Sequence, residues 1–376
     1  MSRRYDVAVV GLGAMGSAAA AHAARRGAAT IGLERFALGH DLGASGGRSR
    51  IIRKAYFESP HYVPLLERAY ALWGGLERES GIPLVQRMGV LVAGNPDGAT
   101  LRGVGESART FGIPVEYLDT ADLRKRFPQA RILDGEAGIL EPEAGAVFPE
   151  RGIAAHLAIA RRAGATLLGD TEVRTIERRG PDVVLHLAGG ATVRAAHAVV
   201  CAGPWLASAF ERFGFPVRVQ RNVQFWFEPA DRAAFFPDRL PAFLIERDGL
   251  PAALYGIPDL GEGVKAALHG DGAFVDPDAL DREIHLDEIE RMRGMLAQWL
   301  PGAAGRFVAG KACMYALTPD QHFIIGREPE TGAIVAGGFS GHGYKFAPAI
   351  GELLAQLALD GGAPLDIGFL SPQRFR

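Results

Sequence analysis

Three runs of distinct periodicity open the chain: residues 5–10 are apolar and rich in valine, 14–26 are small, alanine-rich and helical in spacing, and 29–34 return to a short apolar run. A strand, a helix and a strand within about thirty residues have the spacing of a βαβ unit, whose parallel strands need a helical crossover. A Gly/Ser-rich loop, 39–49, follows. Apolar residues at helical spacing predict amphipathic helices over 62–77, 100–111 and 149–163, with a short strand at 87–93 between the first two. From 171 to 200 the pattern is strand-rich with glycine turns, and it closes on the apolar run Ala198-Val199-Val200-Cys201. Segments 218–227, 242–246, 253–257 and 264–268 alternate like strands of an antiparallel sheet with one face left open. A helix over 286–300, a strand over 333–336, a glycine-rich turn and a helix over 344–359 complete the reading. Neither a repeat nor a linker-like segment interrupts it, so two domains, if present, are interleaved.

Composition narrows the class. With 376 residues, 48% hydrophobic and 22% charged, the chain is long enough for one large or two interleaved α/β domains and too apolar for disorder. A net charge of -2 lacks the basic surplus that phosphate neutralisation needs, so no nucleic-acid partner is expected. Two cysteines, Cys201 and Cys313, exclude a disulfide scaffold and a four-cysteine zinc site, and a reducing, cytoplasmic setting is expected. No metal-ligand spacing is visible among the ten histidines, so no metal is expected. Uncharged residues 7–24 reach the length of a membrane span, but Gly11, Gly13, Gly16 and His22 argue for the βαβ unit and no membrane partner. Ser2-Arg3-Arg4 resembles a twin-arginine opening without the apolar region that should follow, so no export signal is read. Only five residues, Lys54, Lys125, Lys265, Lys311 and Lys345, are lysine. Where arginine is the habitual cation, a lysine marks a position at which a tunable pKa has a use.

Gly11-Leu12-Gly13-Ala14-Met15-Gly16 lies between the first strand and the helix, and Glu34 ends the second strand. In that context the glycines allow a tight turn, close approach of a pyrophosphate and close helix packing, while the acid accepts from ribose hydroxyls. The fingerprint does not separate NAD from FAD. Two later features lean to FAD: the strand ending in Ala202-Gly203-Pro204-Trp205 before an apparent helix, and the loop Gly337 to Lys345, where bare backbone can approach a flat ring and a helix N-terminus can stabilise negative charge.

Together with Gly47-Arg48-Ser49-Arg50-Ile51-Ile52-Arg53, Ala312-Cys313-Met314-Tyr315 and Ser340-Gly341-His342-Gly343-Tyr344-Lys345-Phe346, the fingerprint resembles the monomeric sarcosine oxidase and N-methyltryptophan oxidase family of D-amino-acid-oxidase-like flavoproteins. The resemblance spans nearly the whole chain. It implies an α/β, two-domain architecture, with a Rossmann-like FAD-binding domain (1–85, 149–215 and 320–376) interleaved with an antiparallel-sheet substrate domain (86–148 and 216–319). It further implies an FAD-dependent oxidase of a secondary amine in an N-methyl or cyclic α-amino acid, yielding an imine and, with O2, hydrogen peroxide. Carried over residue by residue, Cys313 is the covalent FAD attachment and Lys265 activates oxygen. Arg53 and Lys345 hold the substrate carboxylate, Tyr255, His269 and Tyr315 line the substrate cavity, and Arg50 lies beside the flavin. The catalytic set is Lys265, Arg50, His269 and Tyr255. Further FAD contacts fall on Gly11, Gly13, Ala14, Met15, Gly16, Glu34, Arg35, Gly47, Ser49, Val173, Gly203, Trp205, Gly338, Phe339, Gly341, His342 and Gly343. A monomer or weak homo-oligomer is expected.

The loop ahead of Arg50 departs from the family pattern Ser-His-His-Gly-Asp-Thr-Arg, reading Ala44-Ser45-Gly46-Gly47-Arg48-Ser49-Arg50. Gly46 stands where the family has a histidine near the flavin, which alters flavin electronics, access or both. Three rivals stay open at this level: a flavin dehydrogenase serving a quinone or protein acceptor, an NAD-dependent dehydrogenase, and a dinucleotide sensor without turnover. Lys311, two positions before Cys313, is expected to favour its thiolate.

Overall fold

The computed structural model describes residues 4–375, so Ser2 and Arg3 of the arginine pair lie outside it. Strand Arg4–Val10, helix Ala14–Arg25 and strand Thr30–Leu33 form the expected βαβ unit. They enter an eight-stranded sheet ordered Val173–Arg179, Asp182–Leu187, Thr192–Val200, Arg4–Val10, Thr30–Leu33 and Thr166–Leu168. Ile334–Gly337 pairs parallel with the end of Thr192–Val200 and antiparallel with Ile324–Arg327. The central pairs are parallel and buried on both faces, which is why Val7 to Val10 read as an unbroken apolar run. The alanines of the first helix let neighbours come close: a Cβ on Gly351 of helix Ala347–Leu359 would sit 2.4 Å from Ala18 Cβ. The third fingerprint glycine has the same packing role, since a Cβ on Gly16 would lie 1.7 Å from the Gly11 carbonyl oxygen.

A second eight-stranded sheet runs Arg306–Leu317, Arg218–Glu228, Val264–Leu268, Leu254–Ile257, Ala242–Glu246, Val90–Gly94, Ala137–Glu141 and Glu116–Leu118. A third, of three strands, joins Arg50–Ile52, Gly145–Val147 and Val85–Arg87. The first sheet draws its strands from 4–33, 166–200 and 324–337, and the second from 90–141 and 218–317, so the chain interleaves the two.

Several expectations are corrected. The strand expected at 87–93 is two strands in different sheets, broken where the Met88 and Gly89 amides both donate to the Ala144 carbonyl. The segments expected to form a half-open antiparallel sheet are mostly buried on both faces, and Ala242–Glu246 pairs parallel with Val90–Gly94. The apparent helix after Gly203 is a 3₁₀ turn followed by one helical turn, Leu206–Ala209. The last helix begins at Ala347, with Tyr344–Phe346 forming a 3₁₀ turn before it. The twelve-residue strand Arg306–Leu317, which carries Cys313, was hidden by its small residues and Gly310.

Candidate active site

One continuous cleft joins the two large sheets. At one end it is lined by Glu34, Arg35, Phe36, His40 and Thr171 to Val173, and midway by Gly11, Gly13, Ala14, Met15, Gly203 and Trp205. Its other end is walled by Arg50, Arg53, Glu58, Tyr255, His269, Tyr315, Phe339 and Gly341 to Lys345.

Glu34 is bound at the cleft wall by the Leu12 amide (2.7 Å), the Phe36 amide (3.1 Å) and His40 Nε2 (3.2 Å). Burial works to raise its pKa, but the His40 and backbone donors outweigh it and hold the carboxyl below its ordinary range. Arg35 at the rim pairs with Asp278 (2.8 Å), which also accepts from Trp205 Nε1 (2.8 Å). Gly13 presents bare backbone to open space, with nothing within 4 Å of a notional Cβ, at the start of a helix whose first N–H groups have no intrahelical partner. Gly203, at φ +55, is equally open. An elongated cleft with an acid at one end and exposed glycine backbone beside a helix start fits FAD.

The Gly-rich loop before Arg50 is tied from three sides. Glu150, in the first turn of helix Pro149–Arg162, accepts from the Gly47 (2.8 Å) and Arg48 (3.0 Å) amides. Arg50 donates to Gln224 Oε1 (3.0 Å), to the Ser49 (2.9 Å) and Gly46 carbonyls, and its Nη2 lies 3.5 Å from Cys313 Sγ. Lys265, 1% exposed, donates to the Gly47 (2.8 Å) and Ser49 (2.6 Å) carbonyls with its ammonium 5.2 Å from the Trp226 ring centre. Its burial, with Arg50 adding repulsion, pulls its pKa well below the ordinary lysine value. Lys265 and Cys313 meet this loop beside the cleft residues Ala44 and Arg50, Lys265 through the Gly47 and Ser49 carbonyls and Cys313 with its Sγ 3.3 Å from the Ala44 carbonyl oxygen. Gly16 and Gly338 face packing, Gly338 against Thr318. The cation beside Cys313 is Arg50 and not the expected Lys311, whose ammonium pairs with Asp41.

At the far end, Tyr315 OH lies 3.4 Å from His269 Nδ1, and the Tyr255 and His269 rings meet edge to face at 6.3 Å. Burial raises both tyrosine pKa values and lowers that of His269, so all three are neutral near pH 7. In the same part of the cleft, Arg53 donates to Glu58 (2.8 Å) and to the Ala55 carbonyl (2.7 Å), between the rings of Tyr56 and Phe57. Lys345 donates to the His342 carbonyl (2.8 Å) and to Tyr56 OH (3.3 Å). Burial draws its pKa down to about 7 against the pull of Glu58. Glu58, despite burial, is held at about 2 by Arg53, His342 and Lys345. Sequence reasoning missed Glu58, Tyr56, Glu150 and Gln224. Gln224 left a signal in the buried polar alternation Gln220, Asn222, Gln224; the others left none that stands apart from ordinary acids and tyrosines.

By class this is a dinucleotide-dependent enzyme of the interleaved α/β kind, with its reaction chamber at the sheet junction. The chain belongs to the FAD dependent oxidoreductase family, whose model matches residues 6–357, and it is an FAD-dependent oxidoreductase. It is 39% identical to the monomeric sarcosine oxidase of Streptomyces avermitilis, over 100% of this chain and 98% of that protein. It is 33% identical to the N-methyl-L-tryptophan oxidase of Yersinia pestis (strain Pestoides F), over 99% and 100%. The solved open form of NikD, an unusual amino acid oxidase essential for nikkomycin biosynthesis, superposes with a TM-score of 0.87 at 25% identity, covering 99% of this chain and 98% of that one. No helix among the described residues is long and apolar enough to cross a membrane.

Proposed function

We propose that this enzyme oxidises the secondary amine of an N-methyl or cyclic α-amino acid to an imine, passing the electrons to oxygen to give hydrogen peroxide. The observation that carries the reading is the chamber itself: the cations Arg53 and Lys345 and the neutral trio Tyr255, His269 and Tyr315 line the same cleft, close enough for Lys345 and Arg53 to act on His269. FAD supplies the two-electron acceptor for the C–H bond beside nitrogen. The protein's part is positioning. Lys345, with Arg53, holds the substrate carboxylate and so fixes which carbon faces the reacting ring. The aromatic trio, Tyr315 buried and Tyr255 and His269 half-buried, packs the N-alkyl group and narrows the access of water to it. Arg50 supplies fixed positive charge beside the flavin, and Lys265 stabilises the negative charge that develops on oxygen. Cys313, whose Sγ lies 3.5 Å from Arg50 Nη2, would hold FAD as a thioether at the 8α-methyl carbon. Names of the relatives, both acting on N-methyl amino acids, support the substrate class.

Acid precipitation of the purified protein tests the linkage: yellow colour is expected in the pellet, and in the supernatant for Cys313→Ser. Anaerobic addition of sarcosine, N-methyl aromatic amino acids, proline and pipecolate is expected to bleach the flavin with one of them. Air should then restore the colour with peroxide release. Bleaching without restoration by oxygen would replace the oxidase with a dehydrogenase, and bleaching by none of them would overturn the substrate class.

A further inference from the structure

The hydrogen bonds around Lys345 run in one direction, and a backbone carbonyl sets it. His342 Nε2 lies 3.0 Å from the Gln321 carbonyl oxygen, which can only accept, so Nε2 carries the proton. The ring is buried and neutral, its pKa drawn down to about 3 by burial, so Nδ1 is bare. Of the acceptors within reach of Tyr56 OH, His342 Nδ1 at 2.7 Å is nearer than the His342 carbonyl oxygen at 3.3 Å, so the hydroxyl donates to Nδ1. With its one proton committed, the Tyr56 oxygen meets Lys345 Nζ as an acceptor, at 3.3 Å. Tyr56 has little freedom to do otherwise: it is fully buried, its carbonyl accepts from Ser107 Oγ, and its ring packs on Tyr62 and Phe346.

We propose that Tyr56 and His342 are positioning residues for the substrate carboxylate: the chain from the Gln321 carbonyl through His342 to Tyr56 presents only acceptors to Lys345 and so holds it as an oriented ammonium. The inference rests on the proposed role of Lys345 in binding the carboxylate. With His342 in the other tautomer its Nδ1–H would donate to the Tyr56 oxygen and compete with the ammonium for it. Other charged or titratable groups facing Lys345 are Arg53 and Glu58, on the segment carrying Tyr56, and His269, after strand Val264–Leu268. All of them stay in place in the variants below.

The test uses the flavin-loaded enzyme and acetate as an unreactive carboxylate, its binding read from the flavin absorbance across pH. Tyr56→Phe keeps the ring and removes the hydroxyl; it is expected to weaken acetate about tenfold. It should also move the loss of affinity at rising pH to lower pH by about one unit, because the charged lysine has lost an acceptor. His342→Leu is expected to reproduce both effects, and His342→Asn, whose amide oxygen can replace Nδ1, to restore most of the affinity. In turnover with the amine that reduces the flavin, KM should rise while kcat changes less than about twofold. In a Lys345→Met background, Tyr56→Phe should have no further effect on acetate. Unchanged acetate affinity and pH profile in Tyr56→Phe and His342→Leu, or equal losses in kcat and KM, would overturn the proposal. If Lys345→Met itself leaves acetate binding intact, the carboxylate role fails and the inference with it. If Lys345→Met weakens acetate and Tyr56→Phe does not, the inference alone fails.

Discussion

Gly47 shows how narrowly one residue is constrained. Its φ of +119 is open to glycine and strained for any L side chain, and a Cβ there would lie 2.4 Å from Gln224 Oε1 and 2.9 Å from Arg50 Nη1. Gly47→Ala is expected to cost about 1–3 kcal/mol and to displace Arg50, read as a lower melting temperature and an altered flavin spectrum. Gly189→Ala, where nothing lies within 4 Å and φ is not positive, serves as the control. Glu58 gives an electrostatic counterpart. Its carboxylate raises the Lys345 pKa, so Glu58→Gln should let Lys345 lose its proton at lower pH. Carboxylate affinity that depends on the ammonium should then fade at lower pH than in the parent, whose Lys345 is drawn to about 7, and an acetate titration at several pH values checks it.

At the scale of elements, a helix start secures a catalytic loop. Glu150 favours the N-terminus of helix Pro149–Arg162 through the dipole and also accepts the Gly47 and Arg48 amides. Glu150→Ala leaves two loop donors without their acceptor and is expected to cost about 1–3 kcal/mol, measured by denaturant unfolding, with faster digestion of the 44–49 loop. This tie also marks the limit of what the sequence discloses. The βαβ unit and the helices at 63–80, 99–111, 149–162 and 286–299 were legible because each carries its own periodicity. The fingerprint glycines and Glu34 could be placed on the βαβ unit because their spacing is local, whereas Lys265 and Lys345 were marked by the family resemblance, with the rarity of lysine only a second pointer. Glu150 reaching Gly47, Gln224 reaching Arg50 and Tyr56 reaching His342 were not, since each joins residues more than a hundred positions apart and depends on how the sheets meet. The parallel pairing of Ala242–Glu246 with Val90–Gly94 was hidden for the same reason.

On the scale of the whole molecule, acid should weaken the packing of the helix layer through two buried histidines. His22 and His156, on the packed helices Ala14–Arg25 and Pro149–Arg162, are pushed by burial down to about 4 and about 3. An unfolded histidine titrates near 6.5, so from there down to those values the unfolded chain binds more protons than the folded one. Stability should therefore be undiminished by these groups above about pH 6.5 and fall progressively as pH drops toward 4 and then 3, by several kcal/mol between them. Urea unfolding at pH 7 and pH 4.5 checks this: the double variant His22→Leu, His156→Gln is expected to lose less stability between the two values than the parent. Equal losses would show that carboxylates alone govern the acid limb.

The interleaving of the two sheets also governs how such a molecule can diversify. Because the second sheet is assembled from 90–141 and 218–317 while the first closes around 4–33, 166–200 and 324–337, no single exchange of contiguous gene sequence can replace one sheet and leave the other intact. Both inserted segments would have to be traded together. A change of substrate preference in such a chain is therefore reached more directly by point substitution within the chamber than by exchange of a contiguous module.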